Sequence, residues 1–136
     1  MSATQLFLGA APLIFLGTVV LDVVTPDPLP IVVHDLHYHD GLIYQDRTVI
    51  DDGNPGGFYA QWVARVVDAS TGNTVPGCAG QGAWTYEPGR AIKPLPLTEW
   101  VGSADCAPPP GNYIPVASWY WGYSQTSHQG EPFTIP

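Results

Sequence analysis

Positive charge is scarce in this sequence. Arg47, Arg65, Arg90 and Lys93 are the only permanent cations in 136 residues. They are scattered, so there is no basic patch. No nucleic acid is expected as a partner, because neutralising phosphates takes clustered Lys and Arg. Charged residues of both signs make up 12%, about half the usual share for a soluble domain. The net charge of −8 favours solubility outside a membrane and says little else. Cysteine is equally sparse. Cys78 and Cys106 stand alone, with no CxxC and no metal-ligand spacing around either. Catalytic motifs are missing too. No nucleophile elbow surrounds a serine. The Gly80 and Gly82 run lacks the Lys-Ser/Thr of a phosphate loop. No pair stands out among the 12 carboxylates. The chain therefore reads as non-enzymatic, and no cofactor is expected.

What is present is glycine, proline and aromatic side chains. There are 15 Gly and 15 Pro, with 7 Tyr, 5 Trp and 4 Phe. The aromatics can supply a core, and the Pro/Gly content then reads as turns between short strands. The organising stretch is Phe58-Tyr59-Ala60-Gln61-Trp62-Val63-Ala64-Arg65-Val66-Val67. Phe58, Ala60, Trp62, Ala64 and Val66 form a wholly apolar face, while the alternate residues are mixed. This is the period of a half-buried strand. Asn54-Pro55-Gly56-Gly57 opens it, and Asp68 to Asn73 closes it as a hairpin loop. The fold class expected is all-β.

Leu6–Val24 is LFLGAAPLIFLGTVVLDVV, an apolar run whose single charge is Asp22. As a helix it would span about 28 Å, close to the hydrocarbon core of a bilayer. The reading is a single-pass anchor over 1–24, with a cleaved signal peptide, and a pair of buried strands or an apolar packing arm, as alternatives. The signal peptide fits less well, since no Lys or Arg precedes the run and no A-x-A site follows. A short leader and a disulfide-capable region behind it place the C-terminal domain outside the cytoplasm, in a periplasm or at a cell surface. Residues 25–30, with Pro26, Pro28 and Pro30 at alternate positions, form a stiff linker. The domain spans 31–136. In an exported chain Cys78 and Cys106 form one disulfide; in a cytosolic chain they are two buried thiols. The apolar run favours the disulfide.

Ile31 to Tyr38 alternates as a first, edge strand. Within it Asp35, His37 and His39 share a face. A His-x-His pair on a strand can chelate Zn²⁺ or Cu²⁺ with Asp35 completing the set; the alternative is a polar, solvated edge. Leu42 to Ile50 forms a second extended segment, ending at a turn over Asp51-Asp52-Gly53-Asn54-Pro55, with Arg47 paired to Asp46 or another carboxylate. Gly80 and Gly82 in the return strand suggest a bulge or a close backbone approach. Glu87-Pro88-Gly89-Arg90 reads as a turn, and Lys93 to Val101 as an edge strand limited by its prolines.

Pro110-Gly111-Asn112-Tyr113 precedes a further alternating strand, and Glu131-Pro132-Phe133-Thr134-Ile135-Pro136 closes the chain. This Pro-Gly-x-Tyr resembles the lead-in to the penultimate strand of an immunoglobulin-like sandwich, with Tyr113 similar to a tyrosine corner. Pro115 stands where an antibody-type domain has its second cysteine, so that inter-sheet disulfide is absent. The resemblance is to the broad immunoglobulin-like or fibronectin-like architecture. Asp46-Arg47-Thr48-Val49, Trp62, Trp100-Val101-Gly102 and Cys106 together with that lead-in resemble small anchored immunoglobulin-like proteins of bacteria and their phages. The resemblance implies an antiparallel β-sandwich, preceded by one transmembrane or apolar helix.

Trp119, Tyr120, Trp121 and Tyr123 are the candidate binding surface. With Trp119 and Trp121 turned inward beside Tyr113 and Ala117, Tyr120 points out. The first functional expectation is a non-catalytic, membrane-tethered binding or accessory subunit that contacts another protein or a larger surface assembly. The alternatives are a carbohydrate-binding sandwich using exposed aromatics, or a metalloprotein using His37 and His39.

Overall fold

The computed structural model describes residues 29–51, 53 and 56–136. The expected anchor, most of the expected linker and part of the expected 51–55 turn lie outside the described residues. Among the described residues no helix is long and apolar enough to cross a membrane.

Alternation in the sequence becomes strands, as expected for Phe58 onward. In chain order they are β1 (Ile31–His39), β2 (Leu42–Val49), β3 (Phe58–Asp68), β4 (Thr74–Tyr86), β5 (Gly89–Pro96), β6 (Gly111–Trp121), β7 (Ser124–Gln129) and β8 (Phe133–Ile135), with the one-turn helix α1 (Leu97–Val101) between β5 and β6. They build two antiparallel sheets. One has the order β1-β2-β5; the other has the order β4-β3-β6-β7, with β8 also on β6. Leu36, Ile43 and Val49 of the first sheet share one core with Ala60, Ala64, Val66, Cys78 and Trp119 of the second. Each fully buried aliphatic side chain there contributes about 1.5–3 kcal/mol.

Local chemistry sets the connections. Asp40 and Gly41 both have positive φ, 50° and 84°, and pair His39 with Leu42 across a two-residue turn. Asp-Gly is the sequence that such a primed turn favours. At His34 the β1 register slips. The bulge lets Ile31 and Val33 face the core before it and Leu36 and Tyr38 after it, so one strand changes phase without losing its buried face.

The expected strand over Lys93 to Val101 is corrected. β5 starts at Gly89, inside the expected turn, and ends at Pro96; Leu97–Val101 is α1. Trp100 and Val101 are consecutive and both buried, Trp100 bonded to Gln45 of β2 and the Val101 carbonyl set against Gly80 of β4. Pro96 caps the start, and Gly102 in the left-handed region ends the turn, its N–H bonded to the Thr98 carbonyl at 2.9 Å.

The edge opposite β4 is shared by two short strands. β7 pairs with Val116–Trp121 and β8 with Gly111–Tyr113. Between them Glu131 N–H reaches across to the Leu36 carbonyl of the other sheet at 2.8 Å. Beneath β8, Tyr113 is buried and its hydroxyl donates to the Pro109 carbonyl. Tyr113→Phe leaves that carbonyl unpaired and should cost about 1 kcal/mol. A urea midpoint equal to that of the native chain would show that the bond contributes nothing.

Candidate functional site

The two sheets do not close along their whole length. Between β4 and β5 they enclose a cleft of about 230 Å³. Strand alternation decides what faces it. Ile43 and Val49 of β2 point into the core, so Gln45 and Arg47, at the same parity, point inward too and line the cleft. Lys93, the cross-strand partner of Gln45, joins them. From the other sheet come Trp62, Trp84, Tyr86 and Trp119, and α1 adds Glu99 and Trp100. Four of the 5 tryptophans thus meet in one place, only Trp121 being elsewhere.

Glycine makes room for them. The Trp62 ring lies over Gly82 and reaches Gly102, where added Cβ atoms would stand 2.7 and 2.8 Å from it. Trp100 Nε1 donates to Gln45 Oε1 at 3.1 Å, and Trp119 Nε1 donates to the Tyr86 hydroxyl at 2.9 Å. Burial pushes the Tyr86 phenol up, against the opposing effects of the Trp119 bond and the Arg47 charge. The Arg47 guanidinium lies 5.2 Å from the centre of the Tyr86 ring, within cation–π range. Burial pushes Arg47 down from its ordinary value, with Tyr86 opposing. Its buried Nε has no hydrogen-bond partner among the described residues.

Pairing of Arg47 with Asp46 is corrected. Neighbours on a strand face opposite sides of the sheet. Asp46 is therefore on the outer face, where Arg90 grips it from Nε at 2.9 Å and from a terminal nitrogen at 2.6 Å. That fork holds the Asp46 carboxyl below the ordinary carboxylate range, and bonds from the Ser70 side chain and backbone do the same for Asp68. A carboxyl lowered in the folded state contributes stability above its unfolded value and loses it as pH falls through the lowered one. The melting temperature should therefore fall as pH drops from the ordinary carboxylate range through the lowered values of these two groups. The Asp46→Asn/Asp68→Asn double variant should show a shallower decline. Parallel curves would mean that these pairs carry none of the acid sensitivity.

The expected aromatic surface divides. Trp119 is 2% exposed inside the cleft, whereas Trp121 is 61% exposed and Tyr123 is 92% exposed. Trp121 was expected to turn inward. It has the parity of Trp119, but it lies at the hairpin end of β6, opposite Ser124, and is not buried there. Tyr120 lies half-buried on the outer face between Gln61 and Gln125. Exposed Tyr59 and Trp84 are at the same end of this sheet.

The expected metal set also divides. His37 Nδ1 and the Asp35 carboxylate are hydrogen-bonded, with the imidazole stacked on Tyr44 at 5.0 Å. His39 instead pairs with Asp40 at 3.1 Å. His128 lies by His34 and Asp35 in a second depression. Among the described residues no three His, Cys, Asp or Glu side chains are grouped to hold a metal ion. Cys78 and Cys106 do form the disulfide.

This chain matches no protein-family model, no curated protein and no solved structure. Its function has to be argued from the cleft and the aromatic end.

Sequence reasoning missed Trp62, Trp84, Tyr86, Glu99 and Trp100 as site residues, and also Gln45, Arg47 and Lys93. For Gln45 and Arg47 the signal is present in the β2 alternation Ile43, Gln45, Arg47, Val49. Two polar residues between two apolar ones on a single face mark an inward-facing site rather than a core.

Proposed function

We propose that this protein is a non-catalytic, membrane-tethered binding subunit with an immunoglobulin-like or fibronectin-like domain, which contacts another protein through its aromatic end. The architecture is supported by the strand orders. β1-β2-β5 matches A-B-E, and β4-β3-β6-β7 matches C′-C-F-G of that class, with Tyr113 at the start of the F-equivalent strand and bonded back upstream. The disulfide departs from the antibody type, joining β4 to the segment after α1.

The observation that carries the functional reading is the placement of Tyr59, Trp84, Trp121 and Tyr123. All are exposed, and all lie at the end of the sandwich where Ile31 begins β1 and pairs with Val49. The linker and the apolar 6–24 segment precede that end. A tether there turns the aromatic end towards the membrane, so the partner is a protein of the same membrane or of an assembly on it. Tyr and Trp suit such a contact because they bury large area at low entropic cost. The test places a photocrosslinking residue at position 123 of the full-length chain, with position 92 on β5 as control. A single discrete adduct from position 123 in the membrane fraction is expected. Equal labelling from both positions, or none from 123, would refute the contact.

The second reading, a carbohydrate-binding sandwich, is favoured by the cleft itself. Its tryptophan rings provide stacking faces, and Gln45, Arg47, Lys93 and Glu99 provide hydrogen-bonding groups around them.

A further inference from the structure

Arg47 is the partly buried charge of the cleft, and Glu99, the carboxylate that lines the same cleft, forms no ion pair with it. Gln45 accepts from Trp100, and Tyr86 accepts from Trp119. Arg47 forms no ion pair among the described residues, and its buried Nε is unpaired. Leaving a partly desolvated cation without a counter-charge is costly. This chain has 12 carboxylates, and the nearest in sequence, Asp46, is committed to Arg90 on the opposite face. Lys93 adds a second cation diagonally across from Arg47 on the neighbouring strand. Two of the 4 permanent cations therefore converge on one tryptophan-lined cleft in a chain of net charge −8.

We infer that the cleft is a binding site for a ring that carries a carboxylate, with the acid on Arg47 and Lys93 and the ring on the tryptophans. A guanidinium presents a planar fork that fits a carboxylate with two parallel hydrogen bonds. The Arg47 fork is already oriented by its stacking on Tyr86. The Tyr86 hydroxyl, which accepts from Trp119, keeps its own proton to donate. Trp62 and Trp84 supply apolar faces, and Glu99 stands at the cleft as an acceptor for hydroxyl groups. The same chemistry is offered by a uronic-acid sugar unit and by an aromatic acid. The inference goes beyond the protein contact and rests, for the sugar source, on the carbohydrate reading.

The test is calorimetric titration of the detergent-solubilised full-length chain. The ligands are glucuronate, the methyl ester of glucuronate, glucose, and indole-3-acetate as the aromatic acid. Saturable binding of glucuronate or indole-3-acetate is expected, and whichever binds identifies the source. For glucuronate, loss of about tenfold or more in affinity on esterification is expected, since a charge-assisted bond to the acid is removed. Arg47→Gln should weaken the acid to a similar degree, and Lys93→Gln should weaken it less. Arg90→Gln, on the outer face, should leave binding unchanged. Near-UV circular dichroism checks that each variant keeps its tryptophan packing; should Arg47→Gln not fold, Lys93→Gln decides. If glucose and the ester bind as well as glucuronate, the acid site is overturned while the carbohydrate reading stands. If no ring ligand binds, both fall.

Discussion

Removing the Cys78–Cys106 disulfide will lower stability by about 3–4 kcal/mol, the chain-entropy value for a loop of this size. The bond closes a sequence separation of 28. Cys78 is fully buried where β4 departs from its register with β3, and Cys106 is buried just beyond α1. The bond therefore ties the helix-bearing segment over the β4 edge. The Cys78→Ala/Cys106→Ala variant keeps the site apolar and avoids leaving a thiol. Its urea midpoint should drop well below that of the oxidised chain, and dithiothreitol should bring the native chain down to nearly the same value. A loss under about 1 kcal/mol would mean that β4 and α1 hold each other without the bond.

Gly80→Ala should be comparably damaging, by about 3 kcal/mol, at the upper end of the range for overpacking. The direction is diagnostic. At a strand position of this kind, replacing Gly by Ala ordinarily stabilises by restricting the unfolded chain. Here an added Cβ would overlap the Val101 carbonyl oxygen and crowd the backbone at Gly102. Neither is the flexible end of a side chain, so α1 has to move. α1 carries Glu99 and Trp100 into the cleft, and Trp100 is held by its bond to Gln45. The variant should therefore show a tryptophan emission change along with its lower midpoint. A stabilised Gly80→Ala protein would show that the helix does not rest on β4 as described.

These two effects also measure how far the sequence can be read. The Gly80 and Gly82 pattern signals close approach, and the structure supplies what approaches: a carbonyl at Gly80 and the Trp62 ring at Gly82. The strand at Phe58 and the hairpin loop over Asp68 to Asn73 follow from local pattern. The Asp40-Gly41 turn has a local signal of the same kind. Lys93 to Val101 resembles a strand in sequence because of its prolines and alternation, but Leu97–Val101 is helical. The left-handed Gly102, its N–H bonded back to the Thr98 carbonyl, marks the helical turn. The Asp35, His37 and His39 set is divided in the structure for a related reason. A shared face brings side chains to one side of a strand, but each then takes the nearest partner, which for His39 is Asp40.

By itself the sequence determined the all-β class, most strand positions and the pair of cysteines available for a bond. Each depends on residues near one another in the chain: period-2 alternation, turn chemistry and cysteine count. Tertiary structure alone decided which inward positions are covered. Trp119 and Trp121 share a parity, yet one is buried and the other is open. Gln45 and Arg47 share a face with Ile43 and Val49, yet they line a cleft rather than the closed core. Alternation fixes the side of a sheet on which a residue projects. Whether anything packs against it depends on how far the second sheet extends there, and that is set by pairings among residues far apart in the chain.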